Sequence, residues 1–242
     1  MPPPAPPLVG ALPGEVWAGR TPVLLSPPVR LGKFDEYHRK TAAMLRAVDA
    51  ALVVTDQRIR RFLGVAVEKA APRLGCVIAS DLGVADAVEA DVAPSDIAFI
   101  QFSSGTTHDP KPVALTHENL LYNLATIASY LGDFATPTVG VSWLPLYHDM
   151  GLIGNLLSAF YLPIPLVLLP PDLFVTRPGA WLRAISRHGG TVSAAPNFAF
   201  GLCVNRIRDE ELDGVDLSSW RLCLNGAEAV SAAMQRQFSE RF

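Results

Sequence analysis

The sequence predicts an α/β fold of mostly parallel sheets flanked by helices. Short apolar runs rich in β-branched residues alternate with segments of helical period, the pattern of strands joined by crossover helices. With 50% hydrophobic and 18% charged residues among 242, the chain can also fill a sizeable core.

The opening MPPPAPPLVGALPG has five prolines in its first seven residues and no basic region. It argues against a signal peptide and predicts a disordered, proline-rich start over residues 1–12, with 13–242 as the folded part. Phe34, Tyr37, His38, Thr41, Met44, Leu45 and Val48 recur at offsets of three and four, so a helix with one buried stripe precedes the first strand. His38 on that stripe reads as a packed or hydrogen-bonded structural histidine. Strands are expected at ALVVT (51–55), GCVIA (75–79), IAFIQF (97–102), VGVSWL (139–144), IPLVLL (164–169), GTVSAA (190–195) and RLCLN (221–225). Thr116 is placed to cap a helix through HENLLYNLATIASYL, and Ser231 one through AAMQRQFSERF. In LIGNLLSAFYLPIPLVLLPP (152–171), Pro163 and Pro165 split the apolar run into a helix and a buried strand, each too short to cross a membrane.

Charge and cysteine content exclude several function classes. Twenty Lys and Arg against 23 Asp and Glu give a net charge of −3, with no basic stripe interleaved with aromatics, so no nucleic-acid partner is expected. Cys76, Cys203 and Cys223 show no paired spacing. Neither a metal site nor a disulfide framework is indicated, and a reducing, cytoplasmic setting fits.

Four stretches are candidates for chemistry. In FIQFSSGTTHDPKPVALTHENLL (99–121), Ser103, Ser104, Gly105, Thr106, Thr107 and Lys111 follow an apolar run and outline a strand–loop–helix cradle for phosphate. The spacing is not that of a Walker A loop, and a solvated Ser/Thr turn is the plainer alternative. In VSWLPLYHDMGLIGN (141–155), His148 and Asp149 stand past a strand's C-terminal end, where open α/β sheets bind ligands. A neutral imidazole there could orient a carboxylate or phosphate, with Asp149 as helix cap; a surface histidine beside a plain cap is the alternative. In TVSAAPNFAFGLCVNRI (191–207), small residues turn at Pro196-Asn197 into a helix with Phe198 and Phe200, which could line an apolar tunnel or be ordinary core. In RLCLNGAEAV (221–230), Asn225-Gly226-Ala227-Glu228 end a strand so that a flat ring can lie against the backbone, although such turns are common.

Together and in this order, these stretches resemble the large N-terminal part of the adenylate-forming superfamily of acyl-CoA synthetases, nonribosomal peptide adenylation domains and luciferases. Within it the chain is most similar to fatty acyl-AMP ligases, through SWLPLYHDMGLIG, PNFAFGLCVNRI, LDGVDLSSWRLCLNGAEAV and the earlier TPVLLSPPVRLGKFDEYHRKTAAMLRAVDAALVVTD. The resemblance runs from about Pro13 to Phe242. It implies ATP- and Mg²⁺-dependent activation of a fatty acid to acyl-AMP with release of pyrophosphate, followed by transfer to an acyl carrier protein or polyketide synthase. By the same resemblance, the 103–111 loop would hold the β- and γ-phosphates and His148 would be catalytic, facing the carboxylate and α-phosphate. Asn225, Gly226, Ala227 and Glu228 would border the adenine, while Trp143, Ala195, Asn197 and Phe198 would wall the acyl site. No metal ligand is identified.

The chain departs from the family pattern in its loop, usually Ser/Thr-Gly-x-Pro-Lys-Gly. His108 and Pro112 replace the glycines after Gly105, which predicts a stiffer loop with fewer N–H donors. The resemblance also implies a Tyr-Gly-x-x-Glu segment, a ribose-binding aspartate, a hinge and a small C-terminal domain with a catalytic lysine. The expectation is therefore a partial AMP-binding domain without the small C-terminal domain, with little or no activity alone. A non-catalytic nucleotide- or acyl-binding remnant and an acyl-CoA synthetase are the alternatives.

Overall fold

The computed structural model describes residues 6–28, 34–83, 90–103, 110–131 and 137–242. Its contacts divide the chain into two compact units, Met1–Leu120 and Leu121–Phe242.

The first unit begins with α1 (Pro6–Trp17), which corrects the disordered start for residues 6–12. Pro6 and Pro7 occupy the first turn, whose N–H groups have no partner inside a helix, so they cost little there. Leu12 is buried and anchors the helix. Next come β1 (Val23–Leu24), α2 (Phe34–Ala47), β2 (Val53–Thr55), α3 (Gln57–Ala70) and β3 (Cys76–Ile78). Asp56 starts α3 by accepting from the N–H groups of Arg58 and Ile59 at 2.7 and 2.8 Å, and the helix carries the chain back so that β3 lies parallel to β2. The expected stripe of α2 buries Thr41, Ala42 and Leu45. His38 donates from Nε2 to the Phe62 carbonyl at 2.9 Å, the structural role that its place on the stripe suggested.

β4 (Ile97–Phe102) pairs in parallel with β1 and antiparallel with β5 (Pro112–Thr116). The expected strand–loop–helix around 103–111 is therefore a strand–loop–strand. Pro112, read from the sequence as stiffening the loop, sits at the first position of β5, where a missing donor is tolerated. α4 (His117–Leu131) follows, capped as predicted. Asn119 N–H donates to Thr116 Oγ1 at 3.1 Å, while Thr116 N–H donates to Asn119 Oδ1 at 3.2 Å.

The second unit is built on a parallel sheet. Its elements are β6 (Gly140–Ser142), a helical run of α5 (Asp149–Gly151), a π turn (Leu152–Leu157) and α6 (Ser158–Tyr161), then β7 (Leu166–Leu168), α7 (Pro171–Thr176) and α8 (Gly179–His188). β8 (Val192–Pro196), α9 (Asn197–Arg206), β9 (Leu222–Gly226) and α10 (Ala232–Arg241) complete it. The strand order is β7-β6-β8-β9, all parallel. Each strand expected from the sequence falls on one of these or on β2, β3 and β4. β7 is an edge strand and only half-buried, however, not the buried strand expected after Pro165. Ser231 caps α10 through Met234 N–H at 3.3 Å.

One face of this sheet carries the main core. Trp143 stacks on Phe174 with centroids 3.8 Å apart. Trp181, wholly buried, meets Phe200 and Trp220 edge-on. Its indole N–H donates to Ser193 Oγ at 3.0 Å, and Ser193 donates in turn to the Val141 carbonyl at 2.5 Å. Among the described residues, no helix is long and apolar enough to cross a membrane.

Candidate functional site

Because β6, β8 and β9 run parallel, their C-terminal ends share one edge of the sheet, the place where such sheets hold ligands. The register pairs Ala195 with Asn225 and Pro196 with Gly226. Asn197, at the start of α9, accepts at Oδ1 from Asn225 Nδ2 at 3.3 Å and from Ser231 N–H at 3.0 Å. The Glu228 carboxylate accepts from Phe198 N–H at 2.5 Å, in the first turn of α9, where an anion favours the helix dipole. Phe198 also meets Trp143 edge-on at 6.0 Å. The fold thus gathers Trp143, Asn197, Phe198, Asn225 and Glu228 into one corner.

This corner carries unspent polar groups. The indole Nε1 of Trp143 and the Oδ1 of Asn225 are buried without a partner among the described residues. Such orphans are uncommon and mark a place where a ligand or water completes the bonding. Beside them Ala227 adopts φ +67°, a left-handed backbone that costs a residue with a Cβ and that clusters at functional sites. The buried acceptor Asn225 Oδ1 stands beside Gly226, where an added Cβ would meet nothing within 4 Å, so there is room for a flat ring that donates a hydrogen bond, as the amino group of an adenine does.

Ala195 departs from its expected role. It is wholly buried within the main core, so its methyl packs against protein. The neighbouring Ala194 instead lines a cleft between the sheet and the run from α5 to α6, together with Gly154, Ala159, Val192 and Leu224. Sequence reasoning missed this cleft. Its signal was the small residues of LIGNLLSA, which take up little of the space against the sheet.

His148 lies on the loop after β6. Its Nδ1 is 2.7 Å from Asp149 Oδ1, and both side chains are about half exposed or more, at 47% and 67%. Asp149 was expected to cap the helix, but it is the first helical residue, and His148 holds the cap position. The reason is geometric: Asp149 spends its carboxylate on the imidazole and on Met150 N–H at 2.7 Å. With Nδ1–H held by Asp149, Nε2 is left to face other groups. The loop is pinned from behind by Gly151, where a Cβ would lie 2.3 Å from the Pro145 carbonyl oxygen. Burial raises the phenol pKa of the neighbouring Tyr147.

Of the proposed phosphate loop, Ser103 and Lys111 are described. Ser103 N–H donates to the Lys111 carbonyl at 2.9 Å, closing the loop at its base. Ser104, Gly105, Thr106 and Thr107, with His108, lie outside the described residues. Among the described residues no group of three or more His, Cys, Asp or Glu side chains could hold a metal ion.

A family model described as AMP-binding enzyme matches residues 32–242. Similar proteins include a medium-chain fatty-acid acyl-carrier-protein ligase of Teredinibacter turnerae, 42% identical over 156 residues, which cover 64% of this chain and 24% of that one. A 4-hydroxyphenylalkanoate adenylyltransferase of Mycobacterium tuberculosis is 33% identical over 90% of this chain and 37% of its own length. The crystal structure of a fatty acyl-adenylate ligase from L. pneumophila, in complex with acyl adenylate and pyrophosphate, superposes with a TM-score of 0.87 at 32% identity. That match covers 99% of this chain and 41% of the solved one. The chain spans between about a quarter and two fifths of the length of these relatives. A family match over most of its residues, across both compact units, makes the chain a member of the AMP-binding enzyme family.

Proposed function

We propose that this chain is the nucleotide- and acyl-binding part of a fatty acyl-AMP ligase, which joins a fatty acid to AMP with release of pyrophosphate. The observation that carries this reading is the corner where β8 and β9 end, with its buried unpartnered Asn225 Oδ1 and left-handed Ala227. It is supported by the names of the relatives, which act on fatty or aryl-alkanoic acids, and by the apolar cleft on the same sheet.

In this reading each residue has a defined task. Asn225 to Glu228 border the adenine, and Trp143 and Phe198 wall the entry to the acyl site. Lys111 and the hydroxyls of 103–107 hold phosphate oxygens. His148, fixed by Asp149, presents Nε2 to the reacting carboxylate and α-phosphate. The chemical need is to bring two anions together and to stabilise the crowded negative charge that results, which positioned donors do well. Mg²⁺, when bound, would offset phosphate charge. An acyl carrier protein or a polyketide synthase would take the product, and the unpaired cysteine spacing suits a cytoplasmic setting.

Binding of a non-hydrolysable acyl-adenylate mimic to the 242-residue chain tests the reading directly. The mimic should bind at least tenfold tighter than AMP. Lys111→Ala should weaken ATP by roughly ten- to hundredfold, the loss of a charge-assisted contact. Equal affinity for AMP and the mimic would remove the acyl site, and absence of both would overturn the proposal. Fatty-acid-dependent ATP–pyrophosphate exchange, with and without coenzyme A as acceptor, then separates the ligase from an acyl-CoA synthetase.

A further inference from the structure

A second site lies away from the strand ends, at the junction of α7 and α8 with the end of α9. A cavity of about 510 Å³ opens there, lined by Thr176, Arg177, Pro178, Arg206, Arg208 and Glu211. That volume is within the roughly 300–1,000 Å³ of small-molecule sites, but the lining is polar where such sites are mostly apolar. We propose that it binds a phosphate monoester.

Charge makes the case. The chain as a whole is acidic, yet the lining sets three guanidinium groups against one carboxylate. Glu211 is committed to Arg208, at 3.2 Å. That pair holds the Glu211 carboxyl below its ordinary range, through the Arg208 hydrogen bonds. The side chains of Arg177 and Arg206 form no hydrogen bond or ion pair among the described residues, so the cavity keeps two unspent positive charges.

Another arginine nearby shows what a purely structural one looks like here. Arg241 donates to the Val204 and Ile207 carbonyls at the end of α9 and pairs with Asp209 at 3.1 Å. Arg206, in the last turn of α9, is favourable to that helix's dipole. Arg177, the C-cap residue of the short helix α7, is placed in the same favourable way, and its side chain too has no partner among the described residues. Planar guanidinium groups converging on one cavity suit the tetrahedral oxygens of a phosphate, each able to offer a pair of parallel donors. A monoester dianion would balance the two free charges.

Calorimetry on the full chain tests this, with inorganic phosphate and with glycerol phosphate as separate probes. Lys111→Ala weakens the loop's own phosphate contact, so binding that is undiminished in that variant and falls when the two arginines are removed belongs to this cavity. We expect saturable binding at one site, weakened by added salt and reduced at least tenfold in Arg177→Ala/Arg206→Ala. The paired Arg177→Lys/Arg206→Lys variant, which keeps the charge but loses the forked donors, should fall between the two. Both arginines are exposed, and an unchanged melting temperature confirms that the variants fold. Tighter binding of the glycerol ester would identify an organic phosphate as the occupant, and equal binding the free anion. No saturable binding in Lys111→Ala, or binding indifferent to both arginines, would overturn the proposal.

Discussion

At the scale of single residues, the second unit depends on a few atoms with no substitute. Ser193 is wholly enclosed between the Trp181 indole and the Val141 carbonyl. Ser193→Ala should cost about 1–3 kcal/mol, since it leaves a buried N–H without an acceptor. In a Trp181→Phe background, where that N–H is gone, the same change should cost clearly less in urea unfolding. Equal costs would show that the bond contributes nothing. Gly151 is a second such point. Gly151→Ala would place a methyl 2.3 Å from the Pro145 carbonyl oxygen and 3.1 Å from that of Leu144, both backbone atoms that cannot swing aside. We expect a loss of about 1–3 kcal/mol in stability. Acyl-adenylate affinity should fall with it, because the loop that shifts carries His148. A variant as stable and as tight as the parent would show that the loop has slack.

Among the elements, the run from α5 to α6 shows how a helix can be shaped to leave space. Its middle is a π turn, held open by side chains that reach back five residues. Asn155 Nδ2 donates to the Met150 carbonyl at 2.6 Å, and Ser158 Oγ to that of Ile153 at 2.8 Å. Extra turns of this kind gather at functional sites. Here the turn faces the narrow cleft, about 40 Å³, between it and the sheet. Gly154 lines that cleft, and a Cβ there would meet only Met150 Cγ, at 3.9 Å. Gly154→Ala should therefore be accepted and narrow the space, shifting preference toward acyl-adenylate mimics with shorter chains. An unchanged chain-length profile would make the cleft a packing gap. This feature also marks where sequence reading ran out. Strands and caps were legible because they follow from local periodicity and one side chain, as at Thr116 and Ser231. β5 and the burial of Ala195 depend on pairing and packing beyond the local pattern, and the π turn on two side chains that reach back five residues, a spacing that neither the helical nor the strand period carries. Glu228 illustrates the mixture. Its place near the candidate site was legible, but its bond to Phe198 N–H appears only when β9 and α9 are brought side by side.

Across the second unit, the aromatic core on one face of the sheet encloses one thiol and packs against a second, and this gives its stability a pH dependence. Cys203 lies in that core, and Cys223 packs against it from β9. Burial pushes both thiols up to about 12, and for Cys203 the neighbouring Cys223 adds to the effect. In the unfolded chain a thiol ionises near 8.5. Between that value and about 12 the folded chain therefore holds more protons than the unfolded one, and unfolding releases them. Stability is fully present below about pH 8.5 and falls as pH rises, by up to about 1.4 kcal/mol per pH unit for each thiol. Urea midpoints between pH 8 and 10 should decline accordingly, and Cys223→Ala should remove about half of the slope. Over the same range, alkylation by iodoacetamide should reach Cys76 well before Cys203: burial raises both thiols, but Cys76 is only half-buried whereas Cys203 is enclosed in the core. A flat pH profile with all three cysteines alkylated at similar rates would mean that the core opens to solvent in this chain.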